Sequence, residues 1–217
     1  MCAVAMDRTA ANKKTASDRA RLSGPVFSPK RVIPEERTKT MAELWDVYDE
    51  NRQKTGRFQE RGKFMPPEDY HLVVMLWIFD SSNRVLMTRR HLSKSLGGLW
   101  ECTGGAVTAG EDTYQGALRE AAEEIGVDLT KGEPGALMRQ DHWRAKNEKD
   151  YSTFQDVYLF IRDIPLEEMT LQPEEVIGAK WVDRAEYEAM RQRGEAVPTR
   201  YDAYDLLAEY RAGKKIR

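Results

Sequence analysis

Three glutamates, Glu120, Glu123 and Glu124, are spaced so that a helix would carry their carboxylates on one side. Positions i, i+3 and i+4 of an α-helix lie within one arc of its surface. Like charges at this spacing repel one another. A hard divalent cation such as Mg²⁺ would offset the repulsion, because it prefers oxygen ligands. The simpler alternative is a solvated acidic helix face.

The segment around these glutamates, residues 105–127, reads GAVTAGEDTYQGALREAAEEIGV and begins as a glycine-containing loop. A helix is predicted from Asp112 or Thr113 to Ile125, and Gly126 is predicted to end it. Alanines occupy much of the predicted buried face, where small side chains allow close approach to a β-sheet. The carboxylates would therefore be positioned by a helix that packs on a sheet.

The rest of the chain predicts the sheet itself, from apolar runs separated by turn residues. A nearly continuous apolar run, residues 71–79, is typical of a strand buried on both faces. The other predicted strands span residues 42–48, 57–61, 85–89, 99–103, 136–143, 151–162 and 179–182, and two further helices span 184–191 and 200–211. This order indicates an α/β (α+β) domain with a mixed β-sheet between helices.

Composition excludes several classes of protein. The chain has 217 residues, of which 41% are hydrophobic and 32% charged, a balance typical of a globular domain. Nine of the 34 Lys and Arg residues and four of the 36 Asp and Glu residues lie in residues 1–40, so the remainder carries a net charge of −7. This acidic body disfavours a nucleic acid polymer as partner, because affinity for phosphate backbones depends on clustered Lys and Arg.

Cysteine content and hydropathy indicate the compartment. Cys2 and Cys102 are too few and too far apart for a disulfide framework. The longest apolar run, residues 72–79, is too short to span a bilayer, and the N-terminal residues lack the apolar stretch of a secretory signal. We therefore expect a cytoplasmic protein that does not insert into a membrane.

The N-terminal segment, residues 1–40, is basic, contains three prolines and shows no sustained periodicity. These features predict a disordered extension. A transit peptide is one interpretation, and composition favours the simpler one, that the native chain starts at Met41. The remainder, residues 41–217, is expected to be a single domain without internal repeats.

The glutamate segment also fits a longer pattern, G-x5-E-x7-R-E-x2-E-E-x-G, at every specified position. The matching residues are Gly105, Glu111, Arg119, Glu120, Glu123, Glu124 and Gly126. Seven specified residues at about 6% each, over about 200 starting points, give a chance expectation on the order of 10⁻⁶. The pattern is the Nudix box, and the chain resembles the Nudix hydrolase superfamily. One position departs mildly, because Ala121 stands where the family has a bulky aliphatic residue.

The resemblance implies the Nudix αβα sandwich for residues 41–217 and a metal-dependent hydrolysis. In that reaction water attacks phosphorus, and metal ions neutralise the charge that develops on the phosphoryl oxygens. The expected substrate is a small molecule in which a nucleoside diphosphate is linked to another moiety. The pattern positions the diphosphate and says nothing about the group attached to it, so the substrate itself is not predicted.

The resemblance also assigns roles to the box residues. The implied ligands of Mg²⁺, or of Mn²⁺, are Glu120, Glu123, Glu124 and the carbonyl oxygen of Gly105. Arg119 lies four residues before Glu123, so it can pair with a carboxylate and hold it in place. Glu111 would brace the loop against the helix. Together with Glu120 and Glu124, these two residues form the predicted catalytic set.

The general base stays open at this stage. Glu120 and Glu124 can each act as ligand or base, and so can Glu174 or Glu175 in the acidic loop before the last predicted strand. The chemistry requires a carboxylate near the attacking water, and sequence spacing alone does not choose among the four.

Beyond the box, the segments WDVYDENRQKTGR, DYHLVVMLWIFD and LWECTGG resemble the Nudix subgroup that is usually compared with isopentenyl-diphosphate isomerase. Those isomerases need a cysteine and a metal-binding histidine, and their positions are occupied here by Thr103 and Gly105. Cys102 is one residue off, which in a strand points its side chain to the opposite face. Hydrolysis is therefore predicted, with an isomerase-like enzyme or a non-catalytic nucleotide-binding domain as alternatives. Hairpin-mediated homodimers are common among the proteins that this chain resembles, so the oligomeric state stays open.

Other residues carry weaker signals. Arg89, Arg90 and Gly104 are candidate substrate contacts, the arginines because they end a predicted strand. The three histidines lack the spacing of metal ligands, so packing roles are favoured: His71, His91 and His142. Three tryptophans could include a ring that stacks on a base or a prenyl group, although core packing is favoured: Trp77, Trp100 and Trp143.

Overall fold

The structure, a computed structural model, describes residues 42–147, 150–214 and 216. The predicted N-terminal extension, residues 1–40, lies outside these residues. The strands are β1 (Leu44–Tyr48), β2 (Lys54–Glu60), β3 (Tyr70–Phe79), β4 (Val85–Arg90), β5 (Trp100–Glu101), β6 (Ala136–Trp143), β7 (Ser152–Ile161) and β8 (Val176–Val182). The helices are α1 (Thr113–Ile125), α2 (Arg184–Gln192) and α3 (Ala203–Arg211), and a short 3₁₀ helix spans Leu166–Glu168.

Strand β3 lies at the centre of a mixed sheet. It pairs in parallel with β7 over its whole length, from Tyr70 beside Ser152 to Phe79 beside Ile161. The other pairings are antiparallel: β1 with β2 and β3, β4 with β3, β5 and β8, and β6 with β7. A strand with neighbours on both edges and helices on both faces has to be apolar throughout, which explains the long apolar run in its sequence.

Helices cover both faces of this sheet. Ala117, Ala121 and Ile125 of α1 are fully buried against one face, in the same cluster as Leu72 and Val74 of β3. On the opposite face, α2 and α3 pack over the far end of β3. Their buried residues, among them Tyr187 and Met190, form a second cluster with Trp77. The predicted αβα sandwich is therefore confirmed.

The bounds of α1 agree with the prediction because both ends carry local signals. Asp112 caps the first turn by accepting a hydrogen bond from the backbone N–H of Gln115, whose side chain bonds back to the N–H of Asp112. Gly126 adopts the left-handed conformation, with φ of 70°, and its N–H bonds to carbonyls of the last turn. The glutamates therefore lie on a helix with both ends defined.

Three other predicted boundaries were wrong by three residues. Strand β2 begins at Lys54 rather than at residue 57, because the turn closes within residues 49–53. Asp49 accepts hydrogen bonds from the N–H groups of Asn51 and Gln53, and Arg52 adopts a φ of 61°. Strand β8 begins at residue 176 instead of 179. Helix α3 begins at residue 203 instead of 200, because Asp202 caps it.

The loop that leads to α1, residues 103–107, follows the edge of β3 opposite to β7. The N–H groups of Val74 and Leu76 donate to the carbonyls of Gly105 and Thr103 at 2.9 Å each, and the N–H of Val107 donates to Leu72 at 2.9 Å. Gly104 lies so close to β3 that a Cβ there would overlap the Val74 carbonyl oxygen, and its φ is 151°. The loop can follow β3 at this distance only with glycine at this position.

We expect Gly104→Ala to lower the free energy of unfolding by about 2–4 kcal/mol, because the added methyl group meets backbone that cannot move aside. Gly178→Ala is the matched control, since a Cβ at Gly178 meets only side-chain atoms at 3.7 and 3.8 Å. It should change stability by less than about 1 kcal/mol. Urea denaturation measures both, and equal effects would contradict the close approach of the loop to β3.

Candidate active site

A cleft of about 440 Å³ opens where the loop 103–107 meets α1. Most of the residues predicted for the site line it: Gly104, Gly105, Arg119, Glu120, Glu123, Glu124 and Arg90. The helix supplies the carboxylates and the loop supplies backbone, so both parts of the box pattern face the same space.

Arg119 is the centre of the hydrogen bonding in this cleft. Its Nε donates to both carboxylate oxygens of Glu111, at 3.0 and 3.1 Å. Its Nη1 donates to Glu120 at 3.0 Å and to Glu123 at 2.9 Å, and its Nη2 donates to the Ala106 carbonyl at 2.7 Å. One guanidinium thus offsets the repulsion among three carboxylates and ties the loop to the helix.

Glu111 is held on the loop side of this arrangement. It lies just before the helix, and its Oε2 also accepts a hydrogen bond from the N–H of Thr108 at 3.1 Å. Its carboxylate therefore links Arg119 on the helix to the loop backbone. Glu111 is not among the residues that line the cleft, which suits a bracing position rather than contact with a substrate.

Glu120 is the most buried of the helix carboxylates, with 9% of its surface exposed. Burial raises its pKa, and Arg119 acts in the opposite direction. Gly105 makes room for it, because a Cβ on that residue would lie 2.5 Å from the Glu120 carboxylate. The spacing between Gly105 and Glu120 in the pattern thus has a steric meaning, because glycine lets the carboxylate lie directly against the loop backbone.

Glu124 is half-buried and hydrogen bonds to the first residues of the loop. The Thr103 hydroxyl donates to its Oε2, and the Gly104 N–H donates to the same oxygen at 3.2 Å. Burial raises the pKa of Glu124 to about 7, the Thr103 hydrogen bond lowers it, and the nearby Glu120 carboxylate raises it again. Among the described residues, Glu124 is therefore a half-buried carboxylate without a cation beside it, and a bound cation would favour its ionised form.

The carboxylates do not form a ready set of three converging ligands. The side chain of Glu123 is 54% exposed and lies at the rim, paired with Arg119. Within the described ranges, no group of three or more His, Cys, Asp or Glu side chains is placed to hold a metal ion together. The predicted joint ligation by Glu120, Glu123 and Glu124 is therefore not visible as a preformed cage. Arg119 Nη1 bridges Glu120 and Glu123, and Glu124 accepts its hydrogen bonds from Thr103 and Gly104 instead.

The cleft nevertheless suits Mg²⁺, which commonly takes only one or two carboxylates and completes its shell with water and phosphate oxygens. Glu120 and Glu124 supply the carboxylates, since both line the cleft and burial raises the pKa of both. The Gly105 carbonyl accepts one hydrogen bond, from Val74, and keeps a second lone pair. The donor set is oxygen only, as a hard cation requires.

The two predicted arginines differ in position, because neighbouring residues of a strand point to opposite faces. Arg90 lines the cleft, where its Nη1 donates to Glu101 at 2.5 Å and its Nε donates to the Ser95 carbonyl at 2.8 Å. Arg89 does not line the cleft. Its Nε donates to the Gly98 carbonyl at 2.9 Å, and its guanidinium lies 5.9 Å from the Trp100 ring. The prediction of Arg89 as a substrate contact is not supported by its position.

The acidic loop contributes one of its two candidate carboxylates. Glu175 is half-buried and lines the cleft, where it forms an ion pair with Lys94. Glu174 is exposed and is not among the lining residues. The structure thus separates two neighbouring glutamates that sequence alone treated as equivalent.

Glu43 and Arg61 line the cleft and were missed in the sequence. They flank the β1–β2 hairpin, and the Arg61 N–H donates to the Glu43 carbonyl at 2.9 Å. Their side chains form an ion pair at 2.7 Å, and the Trp45 Nε1 donates to Glu43 at 2.8 Å. The predicted hairpin was the signal that could have paired them, but nothing in the sequence placed the hairpin beside α1.

Of the residues for which packing was favoured, three are buried, His71, Trp77 and Cys102, whereas His142 is exposed and His91, Trp100 and Trp143 are partly exposed. His71 is buried and its ring stacks on Trp45 with centroids 4.0 Å apart, and Trp77 is 1% exposed. Cys102 is buried on the face opposite to Thr103, and burial raises its pKa well above the ordinary thiol value. Such a thiol is a poor nucleophile. Because Cys102 is one residue away from the position of the isomerase cysteine, its thiol lies on the face of the sheet opposite to the helix glutamates.

Comparisons with known proteins identify the family of the chain. A model of the NUDIX domain matches residues 69–207. An uncharacterized Nudix hydrolase of Listeria monocytogenes is 34% identical over 159 residues, which cover 72% of this chain and 89% of that protein. The chain belongs to the Nudix family. It is a hydrolase of phosphorus-containing anhydrides, and enzymes of this family generally need divalent metal ions.

Two further relatives place the fold and the subgroup. The crystal structure of the DR0079 protein of Deinococcus radiodurans has a TM-score of 0.56 and 23% identity, and the match covers 77% of this chain and 99% of that one. This similarity shows the fold alone. An isopentenyl-diphosphate Delta-isomerase of Streptomyces coelicolor is 28% identical over 148 residues, 66% of this chain and 72% of that protein. The similarity to the isomerase is therefore weaker than the similarity to the Listeria hydrolase.

In the part of the chain that the structure describes, no helix has the length and apolar character that crossing a membrane requires.

In metal-free buffer, we expect Glu124→Gln to change how stability depends on pH. The folded-state pKa of Glu124 is about 7 against an ordinary value of 4.5, so the folded protein holds this proton more tightly than the unfolded chain. Stability is therefore lost as pH rises through that range. Between pH 5 and 8 the wild type should lose on the order of 2–3 kcal/mol relative to the variant.

Urea denaturation of both proteins at pH 5 and pH 8 measures this difference. Adding Mg²⁺ at pH 8 should raise the denaturation midpoint of the wild type, because the ion binds the ionised Glu124 carboxylate of the folded state. The midpoint of Glu124→Gln should stay nearly unchanged, because this carboxylate is missing. Parallel pH profiles for the two proteins would contradict the environment assigned to Glu124.

Proposed function

We propose that this chain is a Mg²⁺-dependent hydrolase that cleaves the pyrophosphate bond of a nucleoside diphosphate linked to another moiety. The observation that carries the proposal is the cleft in which Arg119 bonds Glu120 and Glu123, while Glu124 beside them is bonded by Thr103 and Gly104. An acidic cleft of this kind attracts a diphosphate only with a cation between them, so metal and substrate bind as partners. Residues 41–217 are proposed as the domain that performs the reaction.

The proposed ligands of the ion are Glu120, Glu124 and the Gly105 carbonyl, with Glu123 joining through water or through release from Arg119. Mn²⁺ offers the same charge and ligand preference as an alternative. When bound, the ion would polarise the phosphoryl oxygens and offset the charge that develops on them. Arg119 and Glu111 hold the ligands in position, since their hydrogen bonds join Glu120 on the helix to the loop backbone.

Around the diphosphate, the cleft offers cations that are already paired. Arg90, Lys94 and Arg61 line it, and each of them pairs with a carboxylate that can exchange partners when phosphate enters. Of the four carboxylates that the sequence offers as general base, Glu120, Glu124 and Glu175 line the cleft and stay as candidates, whereas Glu174 does not line it. A base near the attacking water completes the hydrolysis.

We expect Mg²⁺-dependent turnover by the full chain of at least one member of a panel of nucleotide sugars, dinucleoside polyphosphates, oxidised nucleotides and prenyl diphosphates. Glu124→Gln should lower kcat by about 100-fold or more, because it removes a charged ligand from the metal. Phosphate or nucleoside monophosphate release is the measurement.

The matched control is Glu174→Gln, an exposed glutamate of the acidic loop, which should retain wild-type turnover. Equal turnover by wild type and Glu124→Gln would overturn the ligand assignment. Formation of a dimethylallyl product from isopentenyl diphosphate would instead establish the isomerase alternative, which Thr103 and the buried Cys102 disfavour.

A further inference from the structure

A second cavity, of about 500 Å³, borders the cleft on the opposite face of the sheet from α1. Gly104, Gly105 and Ala106 line both spaces, so only the loop backbone separates them. A molecule whose diphosphate lies against the helix glutamates can therefore extend past this loop into the cavity. We call it the sheet cavity.

The floor of the sheet cavity follows from strand register. Val73 of β3 pairs with Gln155 of β7, which pairs with Asp141 of β6, so these three side chains point to the same side. Thr153 of β7 and Trp143 of β6 pair in the next row on that side. Helices α2 and α3 cover only the far end of this face, where Trp77 is buried, and leave these residues partly exposed.

The polar groups of this floor divide into two kinds. Asp141 is satisfied within the protein, because Arg200 and the Tyr201 hydroxyl both donate to its Oδ2. The side chains of Gln155 and Thr153, in contrast, hydrogen bond to no other side chain or backbone group among the described residues. Both line the cavity. The Gln155 amide and the Thr153 hydroxyl can each donate and accept hydrogen bonds. They can therefore bind a ligand that carries both donors and acceptors.

Trp143 adds an aromatic surface to one wall. It lies at the end of β6, is half-buried, and its ring stacks on no other aromatic ring in the part of the chain that the structure describes. The two remaining tryptophans of the sequence-based prediction differ, since Trp77 lies in the core and Trp100 lies 4.5 Å from the Lys180 ammonium. Of the three, Trp143 is the one whose ring borders the cavity.

We infer that the sheet cavity binds the nucleobase of the substrate, with the ring on Trp143 and its polar edge on Gln155. This inference rests on the proposed function and assigns the two halves of the substrate to two sides of the loop. A planar heterocycle matches an aromatic wall, an apolar floor residue such as Val73 and a free amide. A prenyl chain would leave Gln155 and Thr153 without partners on burial, which costs binding free energy.

Equilibrium binding in the presence of Mg²⁺ tests the assignment without turnover. The probes are the α,β-methylene analogues of ADP, GDP, CDP and UDP, and methylenediphosphonate, which lacks a base. For the analogue that the wild type binds most tightly, Trp143→Leu should raise Kd by about 5- to 150-fold, because a base–aromatic stack is lost. Trp143→Phe, which keeps an aromatic ring, should stay within about 3-fold of the wild type.

Gln155→Leu should reduce the differences in Kd among the four bases, since it removes the group that hydrogen bonds to their edges. Methylenediphosphonate should bind all variants with the wild-type Kd, which also shows that they are folded. The inference is overturned if the wild type binds the nucleotide analogues no more tightly than methylenediphosphonate. It is also overturned if Trp143→Leu weakens both kinds of probe equally. Base-dependent binding without hydrolysis of any substrate would instead refute the proposed function alone.

Discussion

The site depends on one constraint, that carboxylates concentrated on a single helix face need positive charge to stay together. Arg119 supplies part of that charge, since its guanidinium reaches Glu111, Glu120 and Glu123 at once. It does not reach Glu124, whose pKa is raised to about 7 by burial, with Glu120 adding to the effect. The unmet part of the charge lies between Glu120 and Glu124, where a divalent cation is proposed to bind.

The same constraint explains why the backbone around the site is so tightly held. A carboxylate can lie against the loop only if Gly105 has no side chain, and the loop can follow β3 only if Gly104 has none. Because β3 is buried between two helical layers, it cannot shift to relieve a clash. The loop divides two spaces, the acidic cleft and the sheet cavity, and the proposed substrate would contact both.

Local features were predictable from the sequence and long-range ones were not. The ends of α1 follow from Asp112 and Gly126, and the common face of Glu120 and Glu124 follows from helical spacing. Arg61 was missed, because its place in the cleft depends on how a hairpin packs against a distant helix. Arg89 and Arg90 were treated alike in the sequence, although neighbouring residues of a strand point to opposite faces, and tertiary packing decides that Arg90 is the one that lines the cleft.

The most direct test is a crystal structure of the wild type with Mn²⁺ and a non-hydrolysable nucleoside diphosphate analogue, with the ion located by its anomalous signal. The account predicts an ion about 2–2.5 Å from oxygens of Glu120 and Glu124 and of the analogue, with Arg119 still bonded to Glu111. An ion bound elsewhere, or an analogue bound away from the cleft without any ion at Glu120 and Glu124, would contradict the account.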